Sequence, residues 1–476
     1  LRAENYVYGY KAICPDIIGE NLMTALFADW ALLPQGWCAN VRVEIDAVGR
    51  IASVSTDSHA QTGDTRLANR LLIPALSNLH SHAFQRAMAG HAEKKASGED
   101  SFWTWREAMY GFLGQLTPED VEAIAAFAYM EMLEAGFSAI GEFHYLHHRP
   151  DGGSYDDPAE MAQRIIAAAQ TSGIGMTLLP VLYAQGGVDG RALNDRQRRF
   201  GCDMDRYATL HGAIKHSAAD SVLGVAAHSL RAVPPAMLTP LASDFGGGPV
   251  HIHIAEQVAE VADVQAAYGA RPVAWLLDNA DVDPRWCLVH ATHMQPEETI
   301  ALAKTRAVAG LCPITEGNLG DGIFDGWRFL EAGGRYGIGS DSNVRIDLTE
   351  ELRVLEYSQR FQDRHRTVMR RDPGSVGQAL YQAAAQGGAQ ALGRQAGRIE
   401  PGAWADLTAL EADEILPFVP GHQEWLDHYV FVAGDRAVRT VWSAGRMMVQ
   451  DGRHIHRAKI AHAFKQTVAH LMEGGS

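Results

Sequence analysis

Apolar and polar positions change texture twice along the chain. Ala25–Leu33, Val41–Ile45 and Ile51–Val54 are short β-like runs punctuated by Pro, Gly, Asn and Asp, and they predict a small antiparallel sheet. From Leu71, short apolar runs alternate with helix-length segments, the pattern of a parallel sheet with crossover helices. Eight such runs can be counted: Leu71–Asn78, Ser138–Tyr145, Met176–Tyr183, Val222–His228, Pro249–Ala255, Trp286–His290, Val308–Pro313 and Tyr336–Asp341. Together they span about 270 residues, the size of a (β/α)8 TIM-type barrel. Beyond the helix predicted at Gln378–Leu392, β punctuation returns around Gly397–Gly402, Ala405–Leu410 and Val438–Trp442. Those strands are too few for a domain of their own. They are expected to complete the N-terminal sheet as one discontinuous β-sandwich built from both chain ends. The expected boundaries are 23–73 and 396–455 for the sandwich, 74–395 for the barrel and 456–476 for a C-terminal helix. Residues 1–22 read as a leader or extension before a natural start at Met23.

In a barrel of this kind, side chains at the C-terminal strand ends share one mouth, whatever their distance in sequence. The first run ends in Leu79-His80-Ser81-His82, and residues two apart in an extended segment point the same way. The fifth gives His251-Ile-His253-Ile-Ala-Glu256, the sixth His290-Ala-Thr-His293 and the eighth Ser340-Asp341-Ser342. His80, His82, His253 and Asp341 supply three nitrogens and one oxygen, a ligand set for zinc or ferrous iron. An isolated H-x-H is weak; its combination with polar residues at three further strand ends carries the expectation. His251 is read as packed, His293 has no assigned role, and His144, His147 and His148 are read as a solvated loop cluster.

One ion and two acids define a chemistry. A bound dication lowers the pKa of its water from ~15.7 toward ~7, and the resulting hydroxide can attack an amidine carbon. Asp341 can take the water's proton. Ammonia leaves only when its nitrogen is protonated, which calls for a carboxyl proton shuttle; Glu256, three residues beyond a ligand, fits that role better than that of a first-turn helix glutamate. Arg106, in a loop segment after the first run, and Arg231, three residues past His228, offer two guanidinium forks, matching a ligand with two carboxylates. Gln85 and Tyr145 belong to strand-end loops at the same mouth.

Charge and cysteines restrict partners and compartment. With 41 Lys and Arg against 57 Asp and Glu, the formal net charge of −16 argues against nucleic acid and anionic membranes as partners. Cys14, Cys38, Cys202, Cys287 and Cys312 form no C-x-x-C pair, and no apolar run approaches the ~20 residues of a membrane span. Without a secretory signal pattern either, a reducing cytoplasm is expected. His91-Ala-Glu93 lacks the P-C-x-x-C of zinc nucleoside deaminases, and G-x-S-x-G, H-E-x-x-H and the phosphate-binding P-loop are missing.

The string Asn78-Leu-His-Ser-His-Ala-Phe-Gln-Arg-Ala-Met-Ala-Gly90, with His253-Ile-Ala-Glu256, Leu288-Val-His-Ala-Thr-His293 and Gly339-Ser-Asp341, resembles the amidohydrolase superfamily. Ser101-Phe-Trp-Thr-Trp-Arg-Glu107, Glu142-Phe-His-Tyr145, His228-Ser-Leu-Arg231 and Thr315-Glu-Gly-Asn-Leu-Gly-Asp-Gly322 make its N-formimino-L-glutamate deiminase branch the most similar, over about Met23 to Gly452. The resemblance implies hydrolysis of N-formimino-L-glutamate to N-formyl-L-glutamate and ammonia in histidine degradation. It further implies zinc, a homodimer, His290 hydrogen-bonded to the attacking hydroxide, and Gln85, Arg106, Tyr145, His228 and Arg231 around the glutamyl portion. Two-metal members of the superfamily use a carboxylated lysine at a middle strand end. Between His82 and His253 only Lys94, Lys95 and Lys215 occur, all in polar segments, so a single ion is expected. Two other readings compete: a deaminase of the same superfamily acting on a guanine-, cytosine- or imidazolone-like ring, and a noncatalytic metal-binding scaffold. Arg106 and Arg231 count against the first, and Glu256 beside the chelating residues counts against the second.

Overall fold

The computed structural model describes residues 24–91, 93, 102–216, 218–419 and 421–474. The leader 1–22, Met23, Lys94, Lys95 and Ser101 lie outside the described residues.

Both chain ends build one sheet. Strands β1 (Thr24–Leu33), β2 (Gly36–Ile45), β3 (Ile51–Ser55) and β4 (Thr65–Pro74) come from the N-terminal part. β1 pairs antiparallel with β2, Thr24 opposite Ile45, and parallel with β4. The chain then leaves for the barrel. It opens with β5 (Leu76–Ser81), β6 (Phe137–His144) and β7 (Gly175–Leu182), followed by the short β8 (Val222–Leu223) and β9 (Val225–Ala227). β10 (Val250–Ile254), β11 (Trp286–His290), β12 (Val308–Leu311) and β13 (Arg335–Ile338) complete it. β14 (Leu407–Glu411), β15 (Val438–Ser443), β16 (Arg446–Gln450) and β17 (Arg453–His454) return to the first sheet. Its order is β17-β16-β15-β14-β4-β1-β2-β3, with β14 antiparallel to β4. The predicted two-ended accessory domain is thus one continuous hydrogen-bonded sheet with its own core, including Leu26, Val41, Val43, Leu72, Leu407 and Trp442.

The run Leu71–Asn78, expected as a single barrel strand, serves both sheets. β4 stays with the accessory sheet up to Pro74, and β5 begins the barrel at Leu76. Ala75, between them, donates its N–H to the Asp406 carbonyl at 2.9 Å. Both halves are buried, so the apolar pattern runs unbroken across the switch and periodicity could not reveal it.

The barrel strands run parallel in the order β5-β6-β7-β9-β10-β11-β12-β13, with β8 extending the β9 position against β7. A parallel bridge between Ser81 and Asp341 brings the last strand end back to the first. Asn78 Nδ2 reinforces it by donating to Ser340 Oγ at 2.6 Å. The fourth strand is interrupted at Gly224, where a Cβ would lie 2.6 Å from the Pro249 carbonyl oxygen. Arg106 lies in a helix, Phe102–Leu113, and not in the expected loop. The C-terminal helix Arg457–Gly474 packs on the helix Pro118–Glu134, with Phe464 stacked on Phe127 at 4.0 Å between ring centroids.

A charge cluster buried at Arg394, Asp406 and Asp220 and closed by the exposed Arg446 ties sheet to barrel. Arg394 Nε contacts Asp406 Oδ2 at 2.7 Å, its NH2 contacts Asp220 Oδ2 at 3.3 Å, and Arg446 NH2 reaches the same Asp220 oxygen at 2.6 Å. Burial makes the Arg394, Asp406 and Asp220 charges dependent on their partners. Among the described residues, no helix is long and apolar enough to cross a membrane.

Candidate metal centre and catalytic cavity

His80, His82, His253 and Asp341, drawn from the first, fifth and eighth strand ends, converge. Each offers one ligand atom, and these atoms all lie within 4.8 Å of one another, every side chain buried. Asp341 Oδ1 stands 3.4 Å from His80 Nε2 and 3.3 Å from His82 Nε2, and His253 Nε2 is 3.0 Å from His80 Nε2. The other ring nitrogens explain the arrangement. His82 Nδ1 donates to the Phe143 carbonyl and His253 Nδ1 to the His228 carbonyl, each at 3.0 Å. Carbonyls only accept, so both rings carry their proton on Nδ1 and direct an Nε2 lone pair inward. Burial pushes His80 down to about 3 and His82 and His253 below the usual range, which keeps the rings neutral. Burial alone would raise Asp341, but the His80 hydrogen bond, with the charge of His290 nearby, holds it below the usual carboxylate range. Inward lone pairs beside an ionised carboxylate fit a divalent cation of borderline softness.

Local backbone geometry serves this convergence. Ala255, His290 and Asp341, at or just past the ends of their strands, have φ of 52°, 68° and 45°. Such left-handed non-glycine residues cost about 1–3 kcal/mol each and persist where surrounding contacts impose them. Gly339 is required beside the centre, because a Cβ there would meet the His80 backbone nitrogen at 2.9 Å and oxygen at 2.8 Å.

A cavity adjoins the centre. It is lined by His82, His253 and Asp341, by Glu256 and His290, and by Gln85, Arg106, Tyr145, His228 and Arg231. Every residue expected to act on substrate is therefore in one space. Glu256 Oε1 lies 3.8 Å from His290 Nε2, and its Oε2 lies 4.0 Å from Arg231 NH2. Burial raises the Glu256 carboxyl, and the charges of His290 and Arg231 partly offset this. For His290, burial opposes protonation, but Glu256, a hydrogen bond to Glu316 and Asp341 outweigh it and bring the ring up to about 10. Gln85 Nε2 donates to Tyr145 OH at 3.2 Å, and Arg106 NH2 donates to Tyr183 OH at 3.1 Å. Burial also drives His228 well below its usual range, with Arg231 and Arg106 adding to the effect.

The remaining histidines divide. His251 is buried and packed as expected, with Nε2 2.8 Å from the Ala391 carbonyl, and takes no part in the ligand cluster. His293 Nε2 bonds the Asp321 carbonyl at 2.8 Å. His144, His147 and His148 are not solvated as expected. All three are buried, His147 and His148 against the carbonyls of Val181 and Gly201, because the segment through Arg199 folds over them. His91 and Glu93 are exposed, and so is Lys215.

Some residues at the site had no assigned role. Tyr183 ends the third predicted run, and its strand-end position was a usable signal. Glu316 lay inside a quoted motif, but only the folded chain shows its Oε1 beside His290 Nδ1 at 3.3 Å. Asp321, raised to about 8 chiefly by burial and then by Glu256, and Glu142, raised to about 8 by burial, also went unrecognised.

Comparison with known proteins follows the same lines. The Amidohydrolase family profile matches residues 71–448, and that of "Formimidoylglutamate deiminase HutF, N-terminal domain" matches residues 23–68. The formimidoylglutamate deiminase of Pseudomonas aeruginosa is 50% identical over 457 residues, covering 95% of this chain and 100% of that protein. The crystal structure of an amidohydrolase from Brucella melitensis is 48% identical with a TM-score of 0.90, over 94% of this chain and 100% of that one. An adenosine deaminase from Xanthomonas campestris, solved with bound zinc, shares the fold at 22% identity and a TM-score of 0.78, over 94% and 98% of the two chains. The chain belongs to the amidohydrolase family, among the relatives of formimidoylglutamate deiminase.

Proposed function

We propose that this chain hydrolyses N-formimino-L-glutamate to N-formyl-L-glutamate and ammonia. The observation that carries the reading is a single cavity lined at once by inward-facing histidine and aspartate donors, a buried carboxyl with raised pKa and two guanidinium groups. One divalent ion, zinc by the family resemblance and with ferrous iron also fitting the donor set, would be held by His80, His82, His253 and Asp341. Bound there, such an ion supplies Lewis acidity and a water whose pKa is lowered toward ~7.

The chain's own residues do the rest. Arg106 and Arg231 take the two carboxylates of the glutamyl portion, because guanidinium forks match carboxylate geometry. Gln85, Tyr145 and His228 fill the space around that portion and orient it. Asp341 accepts the proton of the attacking water. Glu256, whose protonated form burial favours, donates a proton to the amidine nitrogen, so that ammonia departs rather than an amide anion. His290 sits between Glu256 and Asp341, 3.8 Å from each, where it can hydrogen-bond the oxygen that adds to carbon. The free thiols of Cys38, Cys202, Cys287 and Cys312 support a reducing, cytoplasmic setting.

The test is ammonia release from formiminoglutamate, guanine, cytosine and a monocarboxylate analogue, with elemental analysis of the same preparation. Turnover of formiminoglutamate with about one metal per chain is expected. Preference for a ring substrate, or for the monocarboxylate, would overturn the assignment.

A further inference from the structure

His290 has three acidic neighbours, of which only two line the cavity. Its Nε2 is 3.8 Å from Glu256 Oε1 and 3.8 Å from Asp341 Oδ2. Its Nδ1 points the other way and meets Glu316 Oε1 at 3.3 Å. Glu316 is buried and belongs to the short helix Pro313–Leu319 that follows β12. Its Oε1 also accepts the Cys312 N–H at 2.9 Å, and its own carbonyl accepts the Asp321 N–H at 2.9 Å. The carboxylate is therefore fixed to the end of one strand while it grips the imidazole at the end of the next.

We infer that Glu316 is the positioning residue of the reaction: by accepting the Nδ1 proton of His290 it fixes the ring's orientation and turns Nε2 toward the reacting atoms. His290 needs such a hold. It stands at a left-handed backbone position, φ 68°, on the last residue of β11, at the final rung of its ladder with β10. A carboxylate acceptor keeps hydrogen on the ring nitrogen that faces it and fixes the ring's rotation, so the opposite nitrogen meets substrate in a defined direction. Glu316 does not line the cavity and touches no substrate; it acts through His290 alone. This inference rests on the proposed deiminase reading for its kinetic readout.

Four variants of the metal-loaded enzyme test it: Glu316→Ala, Glu316→Gln, His290→Asn and the double variant Glu316→Ala/His290→Asn. Glu316→Ala is expected to lower kcat by about 10²–10⁴-fold, with KM and metal content unchanged. Glu316→Gln keeps an oxygen that can accept both N–H groups and should recover at least tenfold of that loss. In the His290→Asn background, Glu316→Ala should cost less than about threefold, since residues acting as a unit are not additive. A full additional loss there, an equal loss of metal, or an unchanged kcat in Glu316→Ala would overturn the inference. Should Glu316→Ala fail to fold, Glu316→Gln with and without His290→Asn gives the same comparison. Histidine ¹⁵N resonances provide a readout independent of turnover: the signals lost in His290→Asn must show an Nδ1 that carries hydrogen and is hydrogen-bonded, and that signal must shift in Glu316→Ala. If the wild type released no ammonia from formiminoglutamate while these signals behaved as expected, the substrate assignment would fail and the positioning role would stand.

Discussion

Glu256→Gln isolates proton delivery from everything else the cavity does. The substitution keeps side-chain volume, and the nearest charged atoms are 3.8 Å away on His290 and 4.0 Å away on Arg231, so no short hydrogen bond is lost. Folding stability and metal content should therefore stay at the wild-type level. What disappears is an exchangeable proton, on a carboxyl whose pKa burial raises. A positioned acid of this kind contributes about 10²–10⁴-fold, equivalent to about 2.7–5.4 kcal/mol of barrier. The loss should fall on kcat. KM should not rise, because the substitution leaves the Arg231 guanidinium in place for a substrate carboxylate. Continuous ammonia release at saturating and limiting formiminoglutamate, with metal per chain measured on the same sample, separates the terms. Turnover within about threefold of wild type at full metal content would refute the shuttle, since even the low end of acid catalysis exceeds that.

Three other outcomes follow from the same geometry. Arg231→Met should lower kcat/KM for the dicarboxylate by about 10²-fold or more, the worth of a charge-assisted fork, while sparing metal content; loss of metal would mark a structural residue. Asp341→Asn removes a carboxylate 3.3–3.4 Å from two ligand nitrogens, so both bound metal and kcat should fall, and full activity at normal metal content would contradict its dual role. Asp220 provides the acid dependence of stability. Burial raises its pKa, but the Arg446 hydrogen bond and the Arg394 charge outweigh this and lower it overall. Its contribution is therefore fully present above the unfolded value of ~3.9 and is lost as pH falls through the lower folded value. Asp220→Asn should reduce the urea midpoint at pH 6 and flatten its decline toward pH 3, and a decline parallel to wild type would exclude this group.

The sequence by itself determined the strand-end chemistry. Side chains alternate along a strand, and the C-terminal ends of barrel strands share a mouth, so His80, His82, His253 and Asp341 could be grouped across more than 250 positions without coordinates. Eight apolar runs were enough to give the barrel, but parity puts His251 on the same strand face as His253, and only its contact with the Ala391 carbonyl sets it apart. Tertiary structure decided what periodicity does not encode. The switch of Leu71–Asn78 between two sheets was hidden because both halves are buried, and the burial of His144, His147 and His148 depended on a distant segment covering them. The Glu316 contact to His290 joins helix and strand ends that no local rule relates. Local pattern reports which face of an element is apolar, whereas partner identity arises only when separate elements pack and each buried polar atom must find another.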